Sequence, residues 1–264
     1  MAMVETKRDC LGSSNCAEMI DSVNLLAYDH LADEYDDFGH LNTRKLENAS
    51  VRGFRELVNY FIPFGNCPIL EIGCGTGALT KVILRELNTN NLDAIDISEK
   101  MIEVSKKKIP GLKSHNLVSY HIFSILKPPM KFLERRYSLV FCGLADPYLV
   151  ERAFRNISEI MVKDGLVFFS LPERDFALKE WRRRSGTREN RITFRLRNKS
   201  YVESYSFTYE LADLRHDLLQ CGLQAIKDLT LDSTKQIPGN HVFSKGMDDN
   251  LPQPRVLCVL AQKK

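Results

Sequence analysis

The residues best placed to do chemistry are the run Glu71-Ile72-Gly73-Cys74-Gly75-Thr76-Gly77, between a short apolar strand (Pro68 to Gly73) and a helix beginning at Ala78. Glycines tolerate positive φ and let a ligand approach the backbone closely. A helix start presents unpaired N–H groups. In open α/β sheets, ligands lie beyond the carboxyl ends of strands where the strand order reverses. This turn therefore suits a nucleotide-like cofactor. Asp96 ends the next strand, Leu92–Asp96, where a carboxylate can accept both hydroxyl protons of a ribose. Nicotinamide enzymes use the same device at similar spacing, so the acid alone does not choose the cofactor.

Two details favour S-adenosylmethionine (SAM) over a dinucleotide. The glycines are spaced G-x-G-x-G rather than G-x-G-x-x-G, and Glu71 stands two residues before the first of them. A pyrophosphate gains nothing from an anion there, whereas an amino acid's ammonium, or backbone amides held in position for it, does. Leu70 to Gly77, followed by Ala94-Ile-Asp-Ile-Ser-Glu-Lys-Met101, resembles the first two motifs of class I SAM-dependent methyltransferases of the small-molecule type. The resemblance implies that Glu71, Gly73, Cys74, Gly75 and Gly77 contact or shape the methionine end of SAM. It places Asp96 on the ribose, with Ile97 and Met101 flanking the adenine. The plainer alternative is a glycine turn that only lets strand and helix pack closely.

Other positions carry weaker signals. In this family an acid after the third strand often meets the adenine amino group; here Ser124 stands there, as a contact or as a turn residue. The segment after the fourth strand, Gly143 to Tyr148, borders the transferred methyl in the family. Asp146 or Tyr148 could orient or deprotonate an acceptor, or Asp146 could simply cap a helix beginning near Pro147. Tyr28 and Tyr35 lie on an entry helix of a kind that folds over SAM in many family members, where aromatic faces suit a sulfonium. Residues 173–199 hold ten Lys/Arg against four Asp/Glu, which fits a solvated face or recognition of carboxylate, phosphate or RNA. None of the six histidines has metal-ligand spacing, so no metal is expected.

The elements that must position these residues alternate from residue 68 to 172. Strands end near 73, 96, 123, 142 and 171, with helices from 78, 98 and 150, and a turn at 163–165. The expected fold is a seven-stranded Rossmann-like α/β sheet with helices on both faces. Residues 1–21 form a leader, 22–64 a helical cap, and 173–210 a helix-and-hairpin insert after the fifth strand, within one domain over 22–264. A helix at 211–221 and strands at 223–231 and 255–261 close it, with 235–254 a long proline-bearing loop. The 264 residues are 44% hydrophobic with a net charge of +3, too small to imply a polyanion partner. Seven cysteines without a CxxC pair, and no signal-peptide or membrane-spanning run, point to a reduced, cytoplasmic protein. The expected activity is methyl transfer from SAM to an O, N, S or C nucleophile of a small molecule, leaving S-adenosylhomocysteine (SAH). The alternatives are an RNA or protein methyltransferase using the basic insert, or a SAM-binding protein without catalysis. No membrane partner is expected, nucleic acid is a lesser partner reading, and a homodimer is open.

Overall fold

The computed structural model describes residues 14–37, 41–109, 117–185, 190–232 and 254–264. Strands β1 (Ile69–Ile72), β2 (Leu92–Asp96), β3 (Val118–Ile122), β4 (Tyr137–Gly143) and β5 (Met161–Pro172) pair in parallel. After the hairpin β6 (Arg191–Arg195) and β7 (Tyr201–Tyr205), strands β8 (Leu223–Asp232) and β9 (Arg255–Lys263) complete the sheet. Its order is β3-β2-β1-β4-β5-β9-β8, with β9 antiparallel to both neighbours. The strand order reverses between β1 and β4, and a crevice must open at their carboxyl ends.

Both faces are covered, and the period-two alternation of β4 shows how. Val140 and Cys142 point into one core with Phe154 and Ile157 of α7 (Glu151–Ile160) and Leu214 and Leu218 of α9 (Leu211–Gln220). Leu139 and Phe141 point into the other, with Phe54 of α2 (Leu41–Glu56), Phe61 of α3 (Val58–Phe61), Ile83 of α4 (Ala78–Leu87) and Ile102 of α5 (Glu99–Lys108). Phe54, Phe61 and Phe141 pack with ring centroids 5.0–5.4 Å apart, and each buried ring contributes roughly 1.5–3 kcal/mol. Gly53 lets α2 lie against β9, since a Cβ there would stand 2.2 Å from Cys258 Sγ.

Two boundaries differ from expectation. Residues 14–21, expected in the leader, form the first turns of α1 (Ser14–Leu31) and bury Cys16, Ala17 and Ile20. Their apolar side chains pay for order by joining the first core, a tertiary effect that the polar composition around them hides. The helix before β5 ends at Ile160, and the expected turn at 163–165 is a kink inside a longer β5, with Asp164 at φ 63°. The rest of the leader, residues 1–13, and the loop at 235–253 lie outside the described residues.

The cap and the insert form one layer over the crevice. Asn24 Oδ1 on α1 accepts from Tyr205 N at 2.8 Å and Ser204 Oγ at 3.1 Å, tying α1 to the hairpin. Arg197, at the hairpin tip, donates from its backbone N to Glu34 Oε2 at 2.9 Å and from Nε to Asp37 Oδ2 at 2.5 Å. No helix among the described residues is long and apolar enough to cross a membrane, and no disulfide joins the described cysteines.

Candidate functional site

The glycine turn leaves β1 at the point where the strand order reverses, and its backbone needs glycine. Gly73, Gly75 and Gly77 have φ of 67°, 51° and 87°, in the left-handed region that side chains resist. A Cβ on Gly73 would sit 2.7 Å from Ala145 Cβ, and one on Gly77 would sit 2.4 Å from Ser105 Oγ. A Cβ on Gly75 would meet nothing within 4 Å. The outer two glycines therefore serve close packing, and the middle one faces open space.

Asp96, at the end of β2, reaches back under this turn. Its Oδ2 accepts from Gly75 N at 2.8 Å and its Oδ1 from Ser98 N at 2.9 Å. The backbone N–H of Ile97 acts on the same carboxylate. Burial pushes its carboxyl up to about 6, against these backbone donors. Glu71 is 2% exposed, and its Oε2 has no hydrogen-bond partner among the described residues. Burial pushes it up to about 8. A buried carboxylate oxygen without a donor is costly, which marks a place meant to be completed by something else.

A cleft enclosing about 720 Å³ of atom-free space, counted out to its open mouth, runs from this turn towards the cap. Glu71, Gly73, Cys74, Gly75, Asp96, Ile97 and Met101 line it together with Tyr28, Tyr35 and Tyr148. The Tyr28 and Tyr35 rings meet edge to face at 6.2 Å. Burial raises the Cys74 thiol well above its ordinary value, so it stays protonated and is no nucleophile.

Three expected site residues stand apart from the lining. Gly77 is the N-cap of α4. Ser124 is buried, and its Oγ accepts from Leu126 N at 3.1 Å, as a turn residue does. Asp146 opens a short 3-10 helix over Asp146–Tyr148, with Pro147 next to it, and is buried against Ser206. Burial pushes its carboxyl up to about 7. Tyr148, two residues on, is the member of that loop that reaches the cleft.

The structure adds residues that the sequence did not single out. Glu47, Ser50 and Val51 of α2 line the cleft with Leu79, Leu144 and Pro147. Glu47 lies four residues before Val51 on the apolar stripe that continues through Phe54, and an acid on such a stripe was a readable signal. Ser50 Oγ is bonded to Ser170 Oγ at 2.6 Å, which holds α2 to β5. Burial pushes Glu47 up to about 7, with Arg44 pulling the other way. Thr76 Oγ1 donates to Asp36 Oδ1 at 3.0 Å, joining the glycine turn to the segment after α1.

This sheet order and crevice are shared with known proteins. The fold resembles magnesium protoporphyrin IX methyltransferase from Synechocystis PCC 6803, solved with bound SAH. The TM-score is 0.61 at 12% identity, covering 94% of this chain and 99% of that one. Residues 69–165 match the family model described as a methyltransferase domain. The match spans 97 of the 264 residues. Among curated relatives, the chain is 31% identical over 116 residues to malonyl-[acyl-carrier protein] O-methyltransferase 2 of Ilyobacter polytropus, a match covering 42% of each chain. It is 33% identical over 69 residues to trans-aconitate 2-methyltransferase of Sinorhizobium fredii, covering 26% of this chain and 27% of that one. The chain thus spans about half or less of the length of the curated relatives it matches. The matched stretch of the methyltransferase domain contains the glycine turn, Asp96 and the 143–148 loop, and excludes the cap and the insert.

Among the described residues, no group of three or more His, Cys, Asp or Glu could hold a metal ion. Three of the ten basic residues of the insert are engaged within the chain. Arg174 pairs with Glu210, Arg197 with Glu34 and Asp37, and the Arg191 guanidinium lies 3.7 Å from the Tyr205 ring centre. The side chains of Arg182 to Arg184 and Arg188 lie outside the described residues.

Proposed function

We propose that this protein is a cytoplasmic SAM-dependent methyltransferase acting on an O, N, S or C nucleophile of a small molecule. The observation that carries the reading is the buried Glu71 oxygen without a partner, set across the glycine turn from Asp96. Those two acids fit SAM. The Glu71 carboxylate answers an ammonium, and the Asp96 carboxylate at the end of β2 answers the ribose hydroxyls. A dinucleotide's pyrophosphate would instead meet Glu71 as a like charge.

Bound SAM supplies an electrophilic methyl on a sulfonium and leaves as neutral SAH. The chain's own part is to bind, orient and exclude water. Gly75 offers a surface without a side chain, and Ile97 and Met101 give apolar walls to the adenine. Tyr28 and Tyr35 present rings to a cation. Tyr148 faces the acceptor end, while Asp146 holds that loop through Ser206. Alignment of this kind can supply as much as about 7–11 kcal/mol of the barrier. The acid partners of Arg174, Arg191 and Arg197 leave less of the insert for RNA.

Incubation with methyl-labelled SAM and a cell extract checks the acceptor class. Label is expected in the small-molecule fraction. Label confined to RNA or protein would contradict that class, and undiminished SAM would contradict catalysis.

A further inference from the structure

We infer that the methyl acceptor is an amine, received in the cleft by the Glu47 carboxylate on α2. The inference rests on the reading of the cleft as a SAM site. Three acids line that cleft, Glu47, Glu71 and Asp96, and among the described residues no lysine, arginine or histidine does. Glu71 and Asp96 face the glycine turn, where the ammonium and ribose of SAM are accounted for. Glu47 comes from α2, a different element, and remains unused. Its carboxylate is half-buried on the cleft wall. The charge acting on it is Arg44, whose Nη1 is bonded to Asp36 O at 2.9 Å, and the phenol of Tyr35 is its other ionisable neighbour.

A carboxylate acceptor would enter this wall as a like charge, with no described cation to hold it. A protonated amine would meet Glu47 as an opposite charge and as a donor. Val51, Leu79, Leu144 and Pro147 give an apolar wall for the body of such an acceptor. The chemistry balances. An ammonium R–NH3+ has no lone pair and must first lose a proton, which Glu47 accepts. The freed pair forms the N–C bond as the methyl–sulfur bond breaks, and sulfur keeps that pair and leaves as a thioether. The product R–NH2+–CH3 departs, and the proton on Glu47 passes to solvent. Burial holds Glu47 at about 7, which lets it act as acceptor and release the proton near neutrality.

The test is calorimetry on the full chain saturated with SAH. The probes are 2-phenylethylamine and 3-phenylpropanoate, similar bodies of opposite charge. The amine is expected to bind at least about tenfold more tightly than the carboxylate, a difference of about 1.4 kcal/mol. In Glu47→Gln the amine should weaken at least about tenfold while SAH affinity stays unchanged. Preference for the carboxylate, equal binding, binding of neither probe, or an unchanged amine affinity in the variant overturns the inference. If Glu47→Gln does not fold, the wild-type pair of probes decides alone. Failure of SAH itself to bind strikes the SAM reading instead, so the two failures are told apart.

Discussion

The two sides of the cleft are built differently. The cofactor side comes from one stretch, residues 69–101, where strand, turn and helix follow directly and backbone N–H groups of Gly75 and Ser98 hold Asp96. The cap side gathers α1, α2 and the hairpin from distant parts of the chain. Side-chain contacts such as Asn24 with Tyr205, Thr76 with Asp36 and Arg197 with Glu34 hold it together. A site half made of local backbone can keep one cofactor while the other half changes acceptor. The family match follows that division, covering 69–165 and leaving out the cap.

The largest effect should come from breaking the backbone side. Gly77→Val places a branched side chain at φ 87° against Ser105, and should cost about 3 kcal/mol or more in urea denaturation. Gly75→Ala, at φ 51° in open space, should cost only about 1 kcal/mol. Equal costs would show that close packing does not distinguish the outer glycine from the middle one. Asp96→Asn comes next. Loss of the charged acceptor for two hydroxyls should weaken SAH about 100-fold by calorimetry, and an unchanged affinity would remove Asp96 from the ribose role.

The third effect depends on pH. Glu71 and Asp96 stand at about 8 and about 6 because they are buried. Raised carboxyls bind protons more tightly folded than unfolded. They therefore make the empty protein more stable as pH falls through those values towards the ordinary carboxylate range, and less stable above them. Cofactor binding reverses the preference, because an ammonium favours the Glu71 carboxylate. SAH affinity should fall as pH drops from about 9 to 6, by at most about tenfold per unit for each group. Calorimetry in buffers of different ionisation heat should show proton release on binding near pH 7. Glu71→Gln should remove the fall that sets in below about pH 8, and a flat profile in the wild type would separate Glu71 from the ammonium.

The smallest effect belongs to the cap. Arg197→Ala removes an exposed pair with Asp37 and one with Glu34, and should cost about 0.5–1 kcal/mol. SAH affinity should stay within about threefold. A larger loss would mean that the cap shapes the cofactor side as well.

Legibility in the sequence follows the same division. The glycine turn, Asp96 and Glu71 were readable because they act through local spacing, and the alternating strands were readable because a parallel sheet demands it. The seven-stranded sheet and the hairpin in the insert match the expected fold. The start of α1 was not readable, since Cys16, Ala17 and Ile20 are ordered by a core built much later in the chain. Glu47 left a signal in the sequence, an acid on the apolar stripe of α2, but which cleft that stripe lines is set by distant parts of the chain. Ser124 accepts from Leu126 N two residues on, and Asp146 meets Ser206, sixty residues away, a partner that spacing along the chain does not disclose.

The central claim is that the cleft between Glu71 and Asp96 is a SAM site. Calorimetric titration of the full chain with SAH, SAM and NADH tests it most directly. The account predicts SAH and SAM binding with Kd on the order of micromolar, about −8 kcal/mol, and no binding of NADH. Binding of NADH with neither SAM nor SAH would contradict it.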